Sequence, residues 1–394
     1  MERFDIIIIG AGISGLSLAH YCGRSGMKTA VLEKTGRPGG ALCSHRTEGF
    51  WFELGAHTCY NSYSALIGII EEAGIRDRMI GREKVSFKML VDNEVKSIPS
   101  QLRFHELFAS APRIFSLKKE GRSMESYYGR IVGMGNFDRV FAPAFNAVIS
   151  QDARDFPAEM LFKKRRRRKD IMKKFTFDGG LQTITDSIAA EENIRFIAGA
   201  DISSVAYDGK VFSVSSANAA DYESEALAVA APAFEAARLL QGPFPDVAAK
   251  LGTIRTEAVE SMGVMVRKDA VTLPPFAGLI PVKDNFFSIV SRDTVRHPTF
   301  RGFTFHFKPD VMDRDAKLRK ISAVLKTPLQ ALEGIAEKKN FIPSLRVGHG
   351  SIVGDIDRLL QGKPLFLAGN YFDGVAMEDC VSRSLSEFQR LKKG

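Results

Sequence analysis

The residues best suited to chemistry lie near the start of the chain. Gly10, Gly12 and Gly15 stand in the run Gly10-Ala11-Gly12-Ile13-Ser14-Gly15, and an acid, Glu33, follows 21 residues after Gly12. This spacing suits a dinucleotide. Gly10 permits a tight turn, Gly12 lets the backbone approach a pyrophosphate, and Gly15 lets a helix pack closely on a strand. The open N–H groups and positive dipole end of that helix favour an anion. The Glu33 carboxylate can accept hydrogen bonds from ribose hydroxyls.

Such a turn needs a strand before it and a helix after it. Phe4 to Ile9 is short, apolar and β-branched, which predicts a buried parallel strand. Leu16 to Arg24 reads as a helix with Leu16, Ala19, Tyr21 and Cys22 on one face. Lys28 to Leu32 reads as a second strand that ends at Glu33. A glycine cluster alone would also suit a purely structural turn. The flanking elements and the acid favour the dinucleotide.

Further along, Phe175 to Phe177 predicts a strand entering Gly179-Gly180, then a helix from Leu181 to Ala190. Ile194 to Ile197, Val211 to Val214 and Ala226 to Ala231 predict strands that return to the nucleotide sheet, with an independent small sheet as the alternative. Pro364 to Ala368 predicts a last strand. A final helix starting near Val375 carries Cys380, Leu385 and Phe388 on its apolar side. Lys84 to Lys174 reads as mostly helical, and Thr256 to Arg346 shows apolar alternation such as Val264-Met265-Val266. The predicted class is α/β. A Rossmann-type nucleotide domain takes 1–83, 175–255 and 347–394. It is interleaved with an α+β substrate domain of 84–174 and 256–346 that has a mainly helical lobe.

Composition narrows the function classes. The 394 residues are 45% apolar and 26% charged, ordinary for a globular chain. No apolar run nears the roughly 20 residues of a membrane span, and the start does not read as a signal peptide. The expected location is the cytoplasm. Cys22, Cys43, Cys59 and Cys380 lack metal-ligand or CxxC spacing, so reduced thiols and no metal site are expected. Lys163 to Lys174 holds nine basic residues and one acid, so the net charge of +9 is almost wholly local. Three uses fit that run: a solvated loop, peripheral contact with an anionic membrane, or steering of a carboxylate-bearing substrate. Nucleic acid is not expected, because no aromatic stacking platform lies nearby.

Several segments carry a resemblance. Glu33-Lys34-Thr35-Gly36-Arg37-Pro38-Gly39-Gly40 resembles the extension seen in FAD-binding oxidoreductases of the glutathione-reductase-like superfamily. Phe50 to His57 resembles the segment those proteins run beside the flavin ring. Phe177-Asp178-Gly179-Gly180-Leu181-Gln182-Thr183, Ala231 to Leu240 and Gly369 to Cys380 are similar to segments of the flavin amine oxidase superfamily. Within it they are most similar to the protoporphyrinogen/coproporphyrinogen oxidases. The similarity is patchy but spans the chain. The resemblance implies FAD, contacted by Gly10, Gly12, Ile13, Ser14, Gly15, Glu33, Lys34, Gly39, Gly40, Ala41, Leu42, Leu54, Gly55, Ala56, His57, Val205, Gly369, Asn370, Val375, Ala376 and Met377. The final helix would point its N-terminus at the flavin N1–C2=O edge, where reduction gathers negative charge.

The chain also departs from that pattern. Ala41-Leu42 stands where many members carry a basic residue, and the substrate lobe is short. Gly55-Ala56-His57 resembles UDP-galactopyranose mutase instead. The expected activity is hydride transfer from a small-molecule substrate to flavin N5, with dioxygen as acceptor and a porphyrinogen as the leading substrate. An amine oxidase or phytoene-desaturase-like enzyme and a redox-neutral mutase-like flavoenzyme are the alternatives. No general base is nominated. His57 is a candidate for contact with the flavin or substrate, although a lone histidine is more often structural.

Overall fold

In the computed structural model, which describes residues 1–47, 49–218 and 220–393, two seven-stranded sheets organise the chain. The strand Glu2–Ile9 lies inside the first sheet, parallel to Thr29–Glu33 on one side and to Tyr222–Val229 on the other. Ile194–Ala198 extends the sheet past Thr29–Glu33, and Leu365–Leu367 pairs in parallel with Tyr222–Val229. Ile202–Tyr207 and Phe212–Ser216 complete it as an antiparallel pair. The segments read as returning strands thus join the first sheet and form none of their own. Burial on both faces explains the unbroken apolar run: Ile7 and Ile9 enter one core while Ile6 and Ile8 enter another.

The second sheet runs in the order Glu333–Pro343, Thr256–Arg267, Phe300–Phe307, Phe286–Ser291, Gly278–Pro281, Phe87–Val91 and Glu94–Ser97. Its strands alternate. Phe303, Phe305 and Phe307 point into a core shared with the helix Arg314–Leu325. Thr304 and His306 therefore face the other way, and Thr304 Oγ1 donates to Glu53 O at 2.7 Å. That face meets the strand Phe50–Glu53.

The stretch read as mostly helical opens with a hairpin instead. Phe87–Val91 and Glu94–Ser97 pair around Asp92 and Asn93, whose φ values of 52° and 61° make the two-residue turn. Asp and Asn tolerate this left-handed region better than most residues, and such turns suit the twist of a hairpin. The helices of the lobe follow, at Phe104–Ser110, Met124–Val132 and Ala142–Ile149. A small sheet of Cys59–Tyr60, Lys174–Phe177 and Met79–Gly81 joins distant parts of the chain. Among the described residues, no helix is long and apolar enough to cross a membrane.

Candidate functional site

The glycine turn takes the shape its residues require. Gly10 has φ of 102°, and the helix Ile13–Arg24 starts directly after Gly12 with no side-chain cap. Its first N–H groups are left open for a ligand. A Cβ on Gly15 would lie 1.9 Å from Gly10 O, so helix and strand touch there as backbone. A Cβ on Gly12 would meet nothing within 4 Å, because Gly12 faces an open groove. Gly39 N donates to Ala11 O at 2.7 Å, and Gly40 lies directly against Gly12. The two glycine clusters therefore form one wall, with Ile13 and Ser14 buried behind it.

Glu33 stands at the edge of the groove. Its Oε2 accepts from Ala11 N at 2.9 Å, and its Oε1 accepts from Thr35 N and Thr35 Oγ1 at 2.9 and 2.8 Å. An ionised carboxylate offers about four acceptor sites, so one remains for a ribose hydroxyl. The Lys34 side chain pairs with Asp201 at 3.2 Å. Val205 buries its side chain in the core of the first sheet and stands opposite Val214 in the antiparallel pair. Ala200 N donates to Glu33 O at 2.8 Å, which brings the start of the Val205 strand beside the acid.

A second segment lies over the glycine pair. Leu54 N donates to Cys43 O at 2.7 Å and Ala56 N to Ala41 O at 3.2 Å. A Cβ on Gly55 would fall 2.1 Å from Ala41 O, so only glycine permits this approach. Leu42 and Leu54 are buried while Ala41 remains exposed. The open face of Gly12, the spare acceptor on Glu33 and these exposed backbones fit a dinucleotide cofactor.

The final helix closes the other end. It runs Met377–Leu391 after Gly369, Asn370, Val375 and Ala376, and Ser384 Oγ donates to Ser14 O at 2.7 Å. Its buried face is more polar than the apolar reading expected. Glu378 accepts from Ala65 N and Leu66 N at 3.0 and 3.1 Å, capping the helix Ser64–Glu72. Arg383 pairs with Asp357 and Glu387, both at 2.7 Å. Asp379 pairs with Lys163 at 3.2 Å and Arg165 at 2.6 Å. The basic run is therefore partly committed to structure, and Arg168 is likewise paired with Glu71. Lys164, Arg166, Arg167 and Lys169 stay exposed.

Two residues beside the groove escaped the sequence reading. Arg37 donates to Pro38 O, Leu42 O and Gly40 O at 3.0, 3.2 and 3.1 Å, bracing the glycine pair. Its place between Glu33 and Gly39 was the available signal. Lys338 comes from the second sheet, and no local pattern marks it. Burial pushes its amine down to about 8, with Cys43, Arg37 and Glu33 as its charged or titratable neighbours.

Between Phe50–Glu53 and the second sheet lies a cavity of about 20 Å³, lined by Trp51, Glu53, His57, Arg82, Thr176 and Arg292 among others. Burial and the adjacent Arg82 push His57 down to about 3, so the imidazole is neutral and a poor base. His306 is likewise pushed down to about 4 by burial. Asn340 Nδ2 donates to Ser261 Oγ at 3.0 Å and to Leu54 O at 2.9 Å. This leaves Ser261 its own O–H for His306 Nδ1, 2.9 Å away.

Comparison with known proteins agrees with this geometry. The profile of the flavin containing amine oxidoreductase family matches residues 13–265. The chain is 32% identical over 83 residues to 15-cis-phytoene desaturase of Narcissus pseudonarcissus, a stretch covering 21% of this chain and 15% of that protein. A solved structure from Exiguobacterium sp. 255-15, assigned as a protoporphyrinogen oxidase, superposes with a TM-score of 0.79 at 15% identity. It covers 100% of this chain and 99% of that one. Reduced UDP-galactopyranose mutase superposes with a TM-score of 0.76 at 16% identity, covering 99% of this chain and 96% of that one. At such identities the structures speak for the fold alone.

Proposed function

The chain belongs to the flavin-containing amine oxidoreductase family, with FAD as its cofactor, and from that premise we propose that it oxidises a small organic substrate by hydride transfer to flavin N5. Bound FAD supplies the redox chemistry, and the chain supplies orientation, field and exclusion of water. The observation that carries the reading is the open face of Gly12 set against Gly40, with Glu33 at the groove's edge. In this reading Gly10, Gly12, Ile13, Ser14 and Gly15 cradle the diphosphate, helped by Gly39, Gly40, Arg37 and Lys338. Glu33 takes a ribose hydroxyl, and the backbones of Lys34 and Val205 border the adenosine. Ala41, Leu42 and Leu54 to His57 border the ribityl chain and ring, opposite Gly369, Asn370 and Val375 to Met377. The parts 1–83, 175–255 and 347–394 form the cofactor domain, and 84–174 with 256–346 form the substrate domain.

The finer reading is a porphyrinogen-type oxidase with dioxygen as acceptor. Its support is the segment similarity at 177–183 and 369–380 together with the shared fold. The exposed Lys164, Arg166, Arg167 and Lys169 suit an anionic substrate or an anionic membrane surface. A second reading, a redox-neutral mutase-like flavoenzyme, is favoured by Gly55-Ala56-His57. An amine or polyene substrate is the remaining option. Anaerobic mixing of the holoprotein with coproporphyrinogen III or protoporphyrinogen IX tests the finer reading. It predicts rapid loss of the flavin's visible band, then porphyrin fluorescence once air is admitted. No bleaching, with the flavin still reducible by dithionite, overturns it.

A further inference from the structure

We propose that the cavity between Phe50–Glu53 and the second sheet is a carboxylate site, in which Arg82 and Arg292 grip an anionic carboxylate of the substrate. This rests on the flavin oxidoreductase reading and names a substrate class for it. Arg82 and Arg292 both line one cavity, and burial draws both below the ordinary arginine range, Arg292 to about 10. Arg292 lies 4.4 Å from the ring centroids of both Phe50 and Trp51 and donates to Val295 O at 3.0 Å. Arg82 donates to His57 O and Thr58 Oγ1. Among the described residues neither arginine forms an ion pair.

Other buried arginines of this protein do. Arg301 pairs with Asp293 at 2.6 Å and Arg383 with Glu387 at 2.7 Å. Of the acids that act on them, Asp178 is exposed and forms no ion pair with Arg292 among the described residues, and Glu53 is engaged elsewhere, as is the sequence neighbour Asp293. Asp293 gives its oxygens to Arg301 at 2.8 and 2.6 Å. Glu53 gives its oxygens to Leu181 N and Ser44 Oγ, both at 2.7 Å. Three more polar atoms lining the cavity, Arg292 Nε, Trp51 Nε1 and Thr176 Oγ1, are buried without a partner among the described residues. All three can donate. An acceptor would satisfy them, and one that carries negative charge would also answer the two guanidinium groups, as a carboxylate does.

Size points the same way. About 20 Å³ holds one or two water centres, so the cavity suits a carboxylate head and not a ring system. The body of the substrate would extend outward past His57, which shares the cavity wall and borders the segment proposed for the flavin ring. The carboxylate is thus an anchor that positions the carbon to be oxidised. The arginines are binding residues in this scheme, and no proton or electron passes through them.

The test uses the oxidised holoprotein without turnover. Acetate, propionate and benzoate are titrated against it, with propionamide as the neutral match for propionate. Binding is read from the flavin's visible spectrum and, independently, from the melting temperature. Carboxylates should saturate and bind at least about tenfold more tightly than the amide. Arg292→Met and Arg82→Met should each weaken propionate by about tenfold or more. Trp51→Phe keeps an aromatic side chain and removes one donor, so it should weaken propionate by about threefold even if an arginine variant fails to fold. Equal binding of propionate and propionamide, or unchanged affinity in Trp51→Phe and the folded arginine variants, would overturn the proposal. Because no substrate is oxidised, the result stands apart from the porphyrinogen experiment.

Discussion

The Glu53 carboxyl accepts the Leu181 backbone N–H at 2.7 Å, joining the strand that precedes Leu54-Gly55 to a glycine turn 128 residues later. The same carboxyl takes the Ser44 hydroxyl at 2.7 Å, and Ser44 Oγ in turn accepts from Gln182 N at 3.1 Å. One buried acid thus holds together three segments that border the proposed cofactor groove. Burial pushes its pKa up to about 7 from an ordinary 4.5, against the lowering effect of those hydrogen bonds.

A pH dependence follows from that displacement. The folded protein retains a proton on Glu53 that the unfolded chain releases, so stability falls as pH rises from 4.5 towards about 7. The loss is roughly 3 kcal/mol over that window. Glu53→Gln keeps the shape and removes the titration. Urea unfolding at about pH 5 and about pH 7.5 should show the wild type losing stability between them and the variant losing much less.

Gly15 and Gly12 should separate folding from cofactor binding. A Cβ at Gly15 lies 1.9 Å from Gly10 O, so Gly15→Ala forces the helix off the strand. The expected cost is about 1–3 kcal/mol, with loss of FAD on purification. Gly12→Ala meets nothing within 4 Å of protein. It should leave the melting temperature of the apoprotein unchanged and still lower the flavin-to-protein ratio.

Lys338 predicts a pH limit on FAD affinity. Its amine, pushed down to about 8, carries charge below that pH and loses it above. Affinity for an anionic diphosphate should therefore decline as pH rises through about 8. Lys338→Met should weaken FAD by about tenfold at neutral pH and flatten the decline. Fluorescence quenching titrations across that range give both readings. An unchanged decline in the variant would remove Lys338 from the diphosphate site.

The Arg301–Asp293 pair should matter to stability. Both side chains are almost wholly buried, Arg301 also donates to Leu273 O at 2.6 Å, and Asp293 accepts from Phe276 N at 3.0 Å. Asp293→Asn strands the guanidinium. The expected cost is about 3–5 kcal/mol, seen as a lower denaturation midpoint with an unchanged denaturant slope. Because Asp293 sits in the short turn that presents Arg292, propionate binding should weaken with it.

What the sequence determined by itself is the part governed by a few adjacent residues. Gly10 and the pair Gly39-Gly40 need positive φ, and the run Ile6 to Ile9 has no polar face to expose. The turn, its flanking strand and helix, and the acid at Glu33 were therefore legible without any partner. Even the Asp92-Asn93 turn was written locally, although the span around it read as helical.

Tertiary structure alone decided the rest. The last helix buries Glu378, Asp379, Arg383 and Glu387 because partners arrive from Ala65, Lys163, Arg165 and Asp357. An amphipathic reading of the helix alone cannot know that such partners exist. Lys338 comes under the influence of Cys43, Arg37 and Glu33, and Arg82, Arg292, Trp51 and Thr176 share a cavity, only because the second sheet packs against the segment Phe50–Glu53. Local backbone geometry is set by sterics within a turn. The charge environment of a buried side chain is set by whatever the fold brings beside it, often from more than a hundred residues away.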